Sequence, residues 1–207
     1  DCFQARDGPY TIVTKSGKHV LANCEDGWIV IAHRFNGKEI FHNRTWNDYK
    51  NGFGSTPGEY FIGFEAILSI LRQGRYMLRV ELVGWKNENG LAEYSSFSIG
   101  VEKNKYALTL GGFNSTGTST IRDSFKWNNH GSFWTKDRYS DAISSCTYGK
   151  VAWWKPCGNT NLFAVYHDGP NCFAQVQCLF WIGFPQSKSD FSSSYYSIKE
   201  MKMKVKQ

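Results

Sequence analysis

Residues 64–99 read FEAILSILRQGRYMLRVELVGWKNENGLAEYSSFSI, and the apolar pattern changes its period inside this stretch. Over residues 64–71 apolar side chains recur at helical spacing, so Phe64, Ile67, Leu68 and Leu71 form one face, with Gly74 as the stop. From residue 75 to residue 85 the period drops to two, and Tyr76, Leu78, Val80 and Leu82 alternate with Met77, Arg79, Glu81 and Val83. Asn89-Gly90 is a hairpin-turn signal, and residues 91–99 supply the returning strand. A core-packing helix therefore runs into an antiparallel hairpin.

Working outward, residues 10–13 and 19–23 read as short strands around the turn Lys15-Ser16-Gly17-Lys18. GWIVIA at residues 27–32 is too short for a helix and nearly continuous in apolar character, which suits a central strand. In RTWNDYKNGFG, residues 44–54, Thr45 caps a short helix with Trp46 and Tyr49 on its ring face, and Gly52 with Gly54 ends it. Downstream, residues 105–110 form a further strand, and the small, polar, aperiodic residues 111–124 form a long loop. At the end, Lys202, Lys204 and Lys206 alternate with Met201, Met203 and Val205, the pattern of a strand with one face in water; a polyanion site along Lys199–Lys206 is the alternative.

With 207 residues the chain can bury a sizeable core, and nothing resembling a linker divides it, so the expectation is a single domain over 1–207. Hydrophobic residues at 41% with 8 Trp, 11 Tyr and 15 Phe exclude a disordered chain. No apolar run reaches the length of a membrane span, so no membrane insertion is expected, and DCFQARDG at the start lacks a signal-peptide pattern, consistent with a secretion signal already removed. The six cysteines admit 15 pairings. Neighbours in order would join Cys2 to Cys24, Cys146 to Cys157 and Cys172 to Cys178, although a bond from Cys172 or Cys178 to another chain stays open. No cysteine spacing is CxxC, and the five histidines do not flank cysteines at zinc spacing, which favours a disulfide framework in an oxidising compartment. Sequons at Asn43 and Asn114 agree with secretion.

The densest candidate for a site is residues 133–166, which hold Asp137, Asp141, the Cys146 and Cys157 pair and the Trp153-Trp154 doublet. Here the chain resembles fibrinogen C-terminal globular domains, the module of fibrinogen chains, ficolins, tachylectins, angiopoietins and tenascins. The markers are Asp1-Cys2, Gly27-Trp28-Ile29-Val30-Ile31 with Arg34, Thr45-Trp46, Tyr49-Lys50-Asn51-Gly52-Phe53-Gly54 and Gly58-Glu59-Tyr60-Phe61-Ile62-Gly63. Later come Ala92-Glu93-Tyr94-Ser95-Ser96-Phe97, Phe133-Trp134-Thr135-Lys136-Asp137-Arg138, Ala152-Trp153-Trp154, Asn161-Leu162 and Tyr196-Ser197-Ile198-Lys199. The resemblance implies an α+β fold: a small amino-terminal subdomain near residues 1–44, a central twisted antiparallel sheet with short helices near 45–125, and ligand-binding loops with a final strand over 126–207. It also implies the Cys2–Cys24 and Cys146–Cys157 pairings.

In the family a calcium loop follows the TKDR-type run, and calcium requires six to eight oxygens. Asp141 keeps one ligand position, but Tyr139 stands where the first ligating aspartate is expected, and the loop is one residue shorter. A polar loop held by Ser and Thr hydrogen bonds is therefore set against a calcium site at Asp141. Lectin members bind acetylated groups beside the second cysteine, where a cis peptide precedes that cysteine and a histidine follows it. Here the bond is Pro156-Cys157, Gly158 replaces the histidine, and Phe163-Ala164 replaces Asn-Gly. The remaining candidates for a ligand pocket are Tyr148, Pro156, Cys157, Asn159, Asn161 and Phe173.

No nucleophile, base and orienting group can be assembled from the sequence, so no enzyme is expected; His130 and Asp137 alone do not make one. The resemblance implies a secreted, extracellular recognition domain that engages glycans or microbial surfaces in innate defence. The alternative is a protein ligand or adhesion module for a cell-surface receptor, angiopoietin-like and without a sugar pocket. No nucleic-acid partner is expected, and avidity would come from oligomerisation through segments outside these 207 residues.

Overall fold

The computed structural model describes residues 2–138, 152–155, 158–172, 177–185 and 196–207. In chain order its elements are β1 (Gly8–Val13), β2 (His19–Glu25), β3 (Trp28–Arg34), α1 (Trp46–Asn51), β4 (Phe53–Gly54), β5 (Tyr60–Phe61), α2 (Phe64–Leu71), β6 (Tyr76–Val83), β7 (Asn89–Ile99) and β8 (Leu108–Phe113). Then follow β9 (Phe133–Trp134), β10 (Trp153–Trp154), β11 (Thr160–Asn161), β12 (Phe180–Trp181) and β13 (Glu200–Lys206). The main antiparallel sheet has the order β1-β2-β3-β13-β6-β7-β8, with β5 joined to β3 and β4 to β5. β9 with β10 and β11 with β12 form two small ribbons beside it.

β3 is central because its apolar run has a place for every side chain: Trp28 to Ala32 are all buried, with β2 on one side and β13 on the other. Such continuous runs belong to strands covered on both faces. Thr45 begins α1 with a capping box, its hydroxyl accepting from the Asp48 N–H while the Asp48 carboxylate accepts from the Thr45 N–H, and Trp46 with Tyr49 turn into the core. The first two cysteines are joined as Cys2–Cys24, anchoring the amino-terminal end to β2.

Four expectations change. α2 buries Phe64, Ala66, Ile67, Leu68 and Ile70, with Leu71 only partly covered, and it closes at Arg72, before Gly74. Gln73 N–H bonds the Ile70 carbonyl, so the last turn tightens to three-residue spacing and the helix stops early. Asn89-Gly90 is not the turn; both residues already pair with Val83 and Leu82. The chain reverses over residues 84–88, closed by Gly84 N–H to the Glu88 carbonyl with Asn87 at φ 62°. Gly90 is small because the Phe184 ring packs on it, and a Cβ there would lie 2.6 Å from that ring. β8 starts at Leu108 instead of residue 105, since Lys105 and Tyr106 are both left-handed, and it runs on through Gly111-Gly112 into the expected loop.

The fourth change concerns the lysine-rich end. β13 is an interior strand between β3 and β6, with its apolar side chains in the core. The opposite side is a charge network: Lys204, 4% exposed, reaches Glu25 at 2.8 Å and Glu81 at 2.7 Å, and Lys202 reaches Glu25 at 3.0 Å. Carboxylates on β2 and β6 neutralise these two lysines, so they are not a solvated cationic face.

Burial alone would raise the Glu25 carboxyl, yet hydrogen bonds from Lys204 and Lys202 bring it down to about 2. A carboxyl that resists protonation when folded stabilises fully above its unfolded value, about 4.3, and loses that contribution as pH falls toward 2. Lys204→Met is expected to lower unfolding free energy by about 2 kcal/mol at pH 7 and to move the acid-unfolding midpoint upward. Urea titrations at pH 7 and pH 3 measure both effects; an unchanged acid midpoint would contradict the coupling.

Candidate ligand-binding face

The run Lys136-Asp137-Arg138 ends at the last described residue before the segment 139–151, and its members bond residues in and around α1. Lys136 Nζ donates to Asn43 Oδ1 at 2.8 Å, and the Asp137 carboxylate accepts from the Trp46 backbone N–H at 3.0 Å. The Arg138 guanidinium lies 4.5 Å over the Trp46 ring and 3.8 Å from Glu102, which also receives Trp46 Nε1 and Lys50 Nζ. Asp137 therefore serves the start of α1. The calcium reading at Asp141 and Tyr139 falls outside the described residues. Among the described residues no group of three His, Cys, Asp or Glu side chains converges as a metal site.

The tryptophan doublet is scaffold. Trp153 and Trp154 are each 1% exposed and pair with Trp134 and Phe133. Trp153 stacks on Phe125 at 5.2 Å, while Trp154 meets Phe133 edge-on at 5.2 Å and donates Nε1 to the Tyr106 carbonyl. Just beyond, Asn128 Nδ2 donates to the carbonyls of Trp154 and Lys155 at 2.7 and 3.1 Å. This amide explains Gly158, because a Cβ at that position would stand 2.9 Å from the Asn128 side chain. A histidine there would require the Asn128 amide to shift.

Tyr148, Pro156, Cys157 and Phe173, and the Cys146–Cys157 bond, lie outside the described residues. Asn159 and Asn161 are half-buried on either side of Thr160 in the β11–β12 ribbon. Asn161 is held by the fold, its Oδ1 accepting the Phe163 N–H at 2.9 Å. Asn159, half-buried, accepts Ile182 N–H through its backbone carbonyl. Phe163 and Ala164 are core residues at 0% and 2% exposure, with Phe163 between Tyr49 and Trp153. Cys172 is bonded to Cys178, and Cys178 packs with Phe180 and Ile182 beneath the same face. The sequon residue Asn43 is exposed, and Asn114 bonds Gly117 N–H and Thr118 within its own loop.

Two buried charged residues were not anticipated in any site: Arg34 ties this face to the sheet, and Glu59 holds the turn that follows β3. Arg34 at the end of β3, 1% exposed, donates Nη1 to the carbonyls of Leu162 and Ala164 at 3.0 and 2.8 Å and lies 4.4 Å over the Phe41 ring. Burial pulls its guanidinium down to about 10. Glu59, 5% exposed, accepts four backbone N–H groups from Phe35, Asn36, Gly37 and Glu39. Burial raises a carboxyl, but these four donors hold Glu59 below the usual carboxylate range. A charged residue inside the GWIVIAHR run and a lone Glu before Tyr60-Phe61 were the only signals in the sequence.

A family model described as the C-terminal globular domain of fibrinogen beta and gamma chains matches residues 14–207. The chain belongs to the fibrinogen C-terminal domain family. This fibrinogen C-terminal domain is 33% identical over 219 residues to angiopoietin-1 of Homo sapiens, covering 100% of the chain but 42% of that relative, and so corresponds to part of it. Among solved structures it is similar to the fibrinogen-like globe domain of human ANGPTL2, with TM-score 0.86, 30% identity and coverage of 100% of this chain and 97% of that one. A lamprey fibrin D-dimer complexed with the peptide Gly-His-Arg-Pro-amide matches with TM-score 0.80 and 25% identity, over 99% of this chain and 72% of that one. The α+β fold implied by the resemblance is thus the fold observed. Among the described residues no helix is long and apolar enough to cross a membrane.

Proposed function

We propose that this domain is an extracellular, non-catalytic recognition module that binds a protein ligand, in the manner of a cell-surface receptor ligand, through its carboxy-terminal loop face. The observation that carries the reading is the state of the polar groups expected to grip an acetylated sugar. Asn161 is engaged by Phe163, Gly158 is closed by Asn128, and Phe163 with Ala164 is core. Beside this face the Phe125–Asn128 turn presents Trp127, 59% exposed, and large amphipathic rings of this kind anchor protein interfaces. A lectin of innate defence is the second reading, favoured by Asn159, which is not fully buried, and resting on Tyr148, Pro156, Cys157 and Phe173 for the rest of its pocket.

A panel of receptor ectodomains assayed by surface plasmon resonance, run beside a glycan array with and without EDTA, tests both. Tight binding to one ectodomain with a silent array is expected. Glycan binding lost in EDTA would overturn the protein-ligand reading and show that a divalent cation is needed. Trp127→Ala is expected to weaken ectodomain binding at least tenfold while leaving stability within about 0.5 kcal/mol.

A further inference from the structure

The chain carries 24 Lys and Arg against 18 Asp and Glu, and the fold decides which of these cations stay open to a partner. Lys202 and Lys204 on β13, a polyanion site by sequence alone, are paired with Glu25, Glu81 and Glu200. Lys103, Lys105, Lys126 and Lys155 are instead exposed, and none of them pairs with a carboxylate among the described residues.

Three of these lysines are far apart in sequence and are brought together by backbone bonds. The Lys105 carbonyl accepts the Phe133 N–H at 2.8 Å, and the Lys155 N–H donates to the Ser132 carbonyl at 2.9 Å. Asn128 Nδ2 reaches the Lys155 carbonyl at 3.1 Å, and the Asn129 N–H reaches the Lys126 carbonyl at 3.2 Å, so the turn with Lys126 and the exposed His130 lies alongside. Lys105 Nζ stands 3.9 Å over the half-buried Trp134 ring. The nearby carboxylates already serve the fold. Asp123 accepts the Tyr94 hydroxyl at 2.6 Å and the Lys126 N–H at 3.1 Å, and Glu102 accepts from Trp46 Nε1 and Lys50 Nζ.

We propose that the surface formed by Lys105, Lys126 and Lys155 binds a sulfated polysaccharide chain. The open cations here are lysines, which are strongly hydrated point charges and are depleted in protein–protein interfaces, where arginine is enriched. A flexible polyanion suits them better than a folded acidic protein, because its binding is driven by release of counterions and needs no close-packed contact. Sulfated chains are the polyanions that an extracellular domain meets. The inference rests on the extracellular part of the proposed function and stands whether or not a receptor binds beside Trp127.

The test is surface plasmon resonance of the whole chain on immobilised heparin at about 0.15 M salt, with desulfated heparin, polyglutamate and duplex DNA as competitors. Heparin is expected to bind with an affinity that falls steeply as salt rises, and each competitor should be about tenfold weaker than free heparin. Lys105→Gln, Lys126→Gln and Lys155→Gln combined should weaken binding about tenfold, and the same three positions changed to Arg should retain it. Lys18→Gln, Lys38→Gln and Lys86→Gln combined remove the same charge at other exposed positions and should weaken binding less than about twofold. All six side chains are exposed, so melting temperatures should match the parent chain. Absence of heparin binding, an equal loss in the two Gln triple variants, or displacement by polyglutamate or DNA as strong as by heparin would overturn the proposal.

Discussion

Glu59→Ala is expected to lower the unfolding free energy by about 3–5 kcal/mol, enough to populate the unfolded state in a domain of ordinary stability. The substitution removes one carboxylate and strands the backbone N–H groups of Phe35, Asn36, Gly37 and Glu39, three of which converge on a single oxygen at 2.6 to 3.0 Å. Hydrogen bonds to an ionised acceptor are the stronger kind, and buried donors without acceptors carry a full desolvation penalty. Glu59→Gln keeps one acceptor oxygen but no charge, so a loss of roughly half is expected. Because the folded carboxyl sits below its usual range, its contribution is complete above the unfolded value near 4.3 and declines as pH falls through the lower folded value. Urea denaturation at pH 7 and pH 3 should therefore show a smaller difference between Glu59→Gln and the parent chain at the lower pH. A difference that does not shrink would show that the charge is not what holds the turn.

Arg34→Ala is expected to be comparably severe, about 3–5 kcal/mol, through a cavity at a site 1% exposed and two carbonyls left without donors. Its effect should also be local. Arg34 Nη1 is the bond between β3 and the carbonyls of Leu162 and Ala164, so hydrogen exchange at residues 158–166 should accelerate more than exchange in β6 and β7. Arg34→Lys tests the geometry: a single ammonium does not reproduce a planar guanidinium that bonds carbonyls while lying over Phe41, and more than half of the loss should persist. Uniform acceleration across the sheet would mean that Arg34 supports the whole fold and not this face. Ligand binding should weaken in parallel, since the face loses its attachment to a rigid element.

These two residues mark where reading the sequence stops. α1 was legible because its capping box and ring face lie within six residues, and β1, β2, β3 and β6 because their apolar periods are local. The α+β class and the family followed from the order of many short motifs and not from any one of them. Within residues 133–166 the sequence did not reveal which side chains are taken up by the fold. The Trp153-Trp154 doublet stood in the densest candidate stretch and is core, and Asp137 in the same stretch holds the start of α1. Asn89-Gly90 and the lysines of β13 misled for the same reason, since a turn signal or a charge says nothing of the side chain that will arrive opposite it.

The sequence by itself determined the secondary-structure periods, the helix start at Thr45 and membership of a recognisable fold, because each depends on residues close together in the chain or on their order. Only the tertiary structure decided which polar groups remain available. Arg34 meets carbonyls 128 and 130 residues away, Lys204 lies between carboxylates of two other strands, and Asn128 closes the space at Gly158. Burial turns such long-range pairings into fixed structure, because a charge or amide removed from water must find a partner wherever the fold provides one.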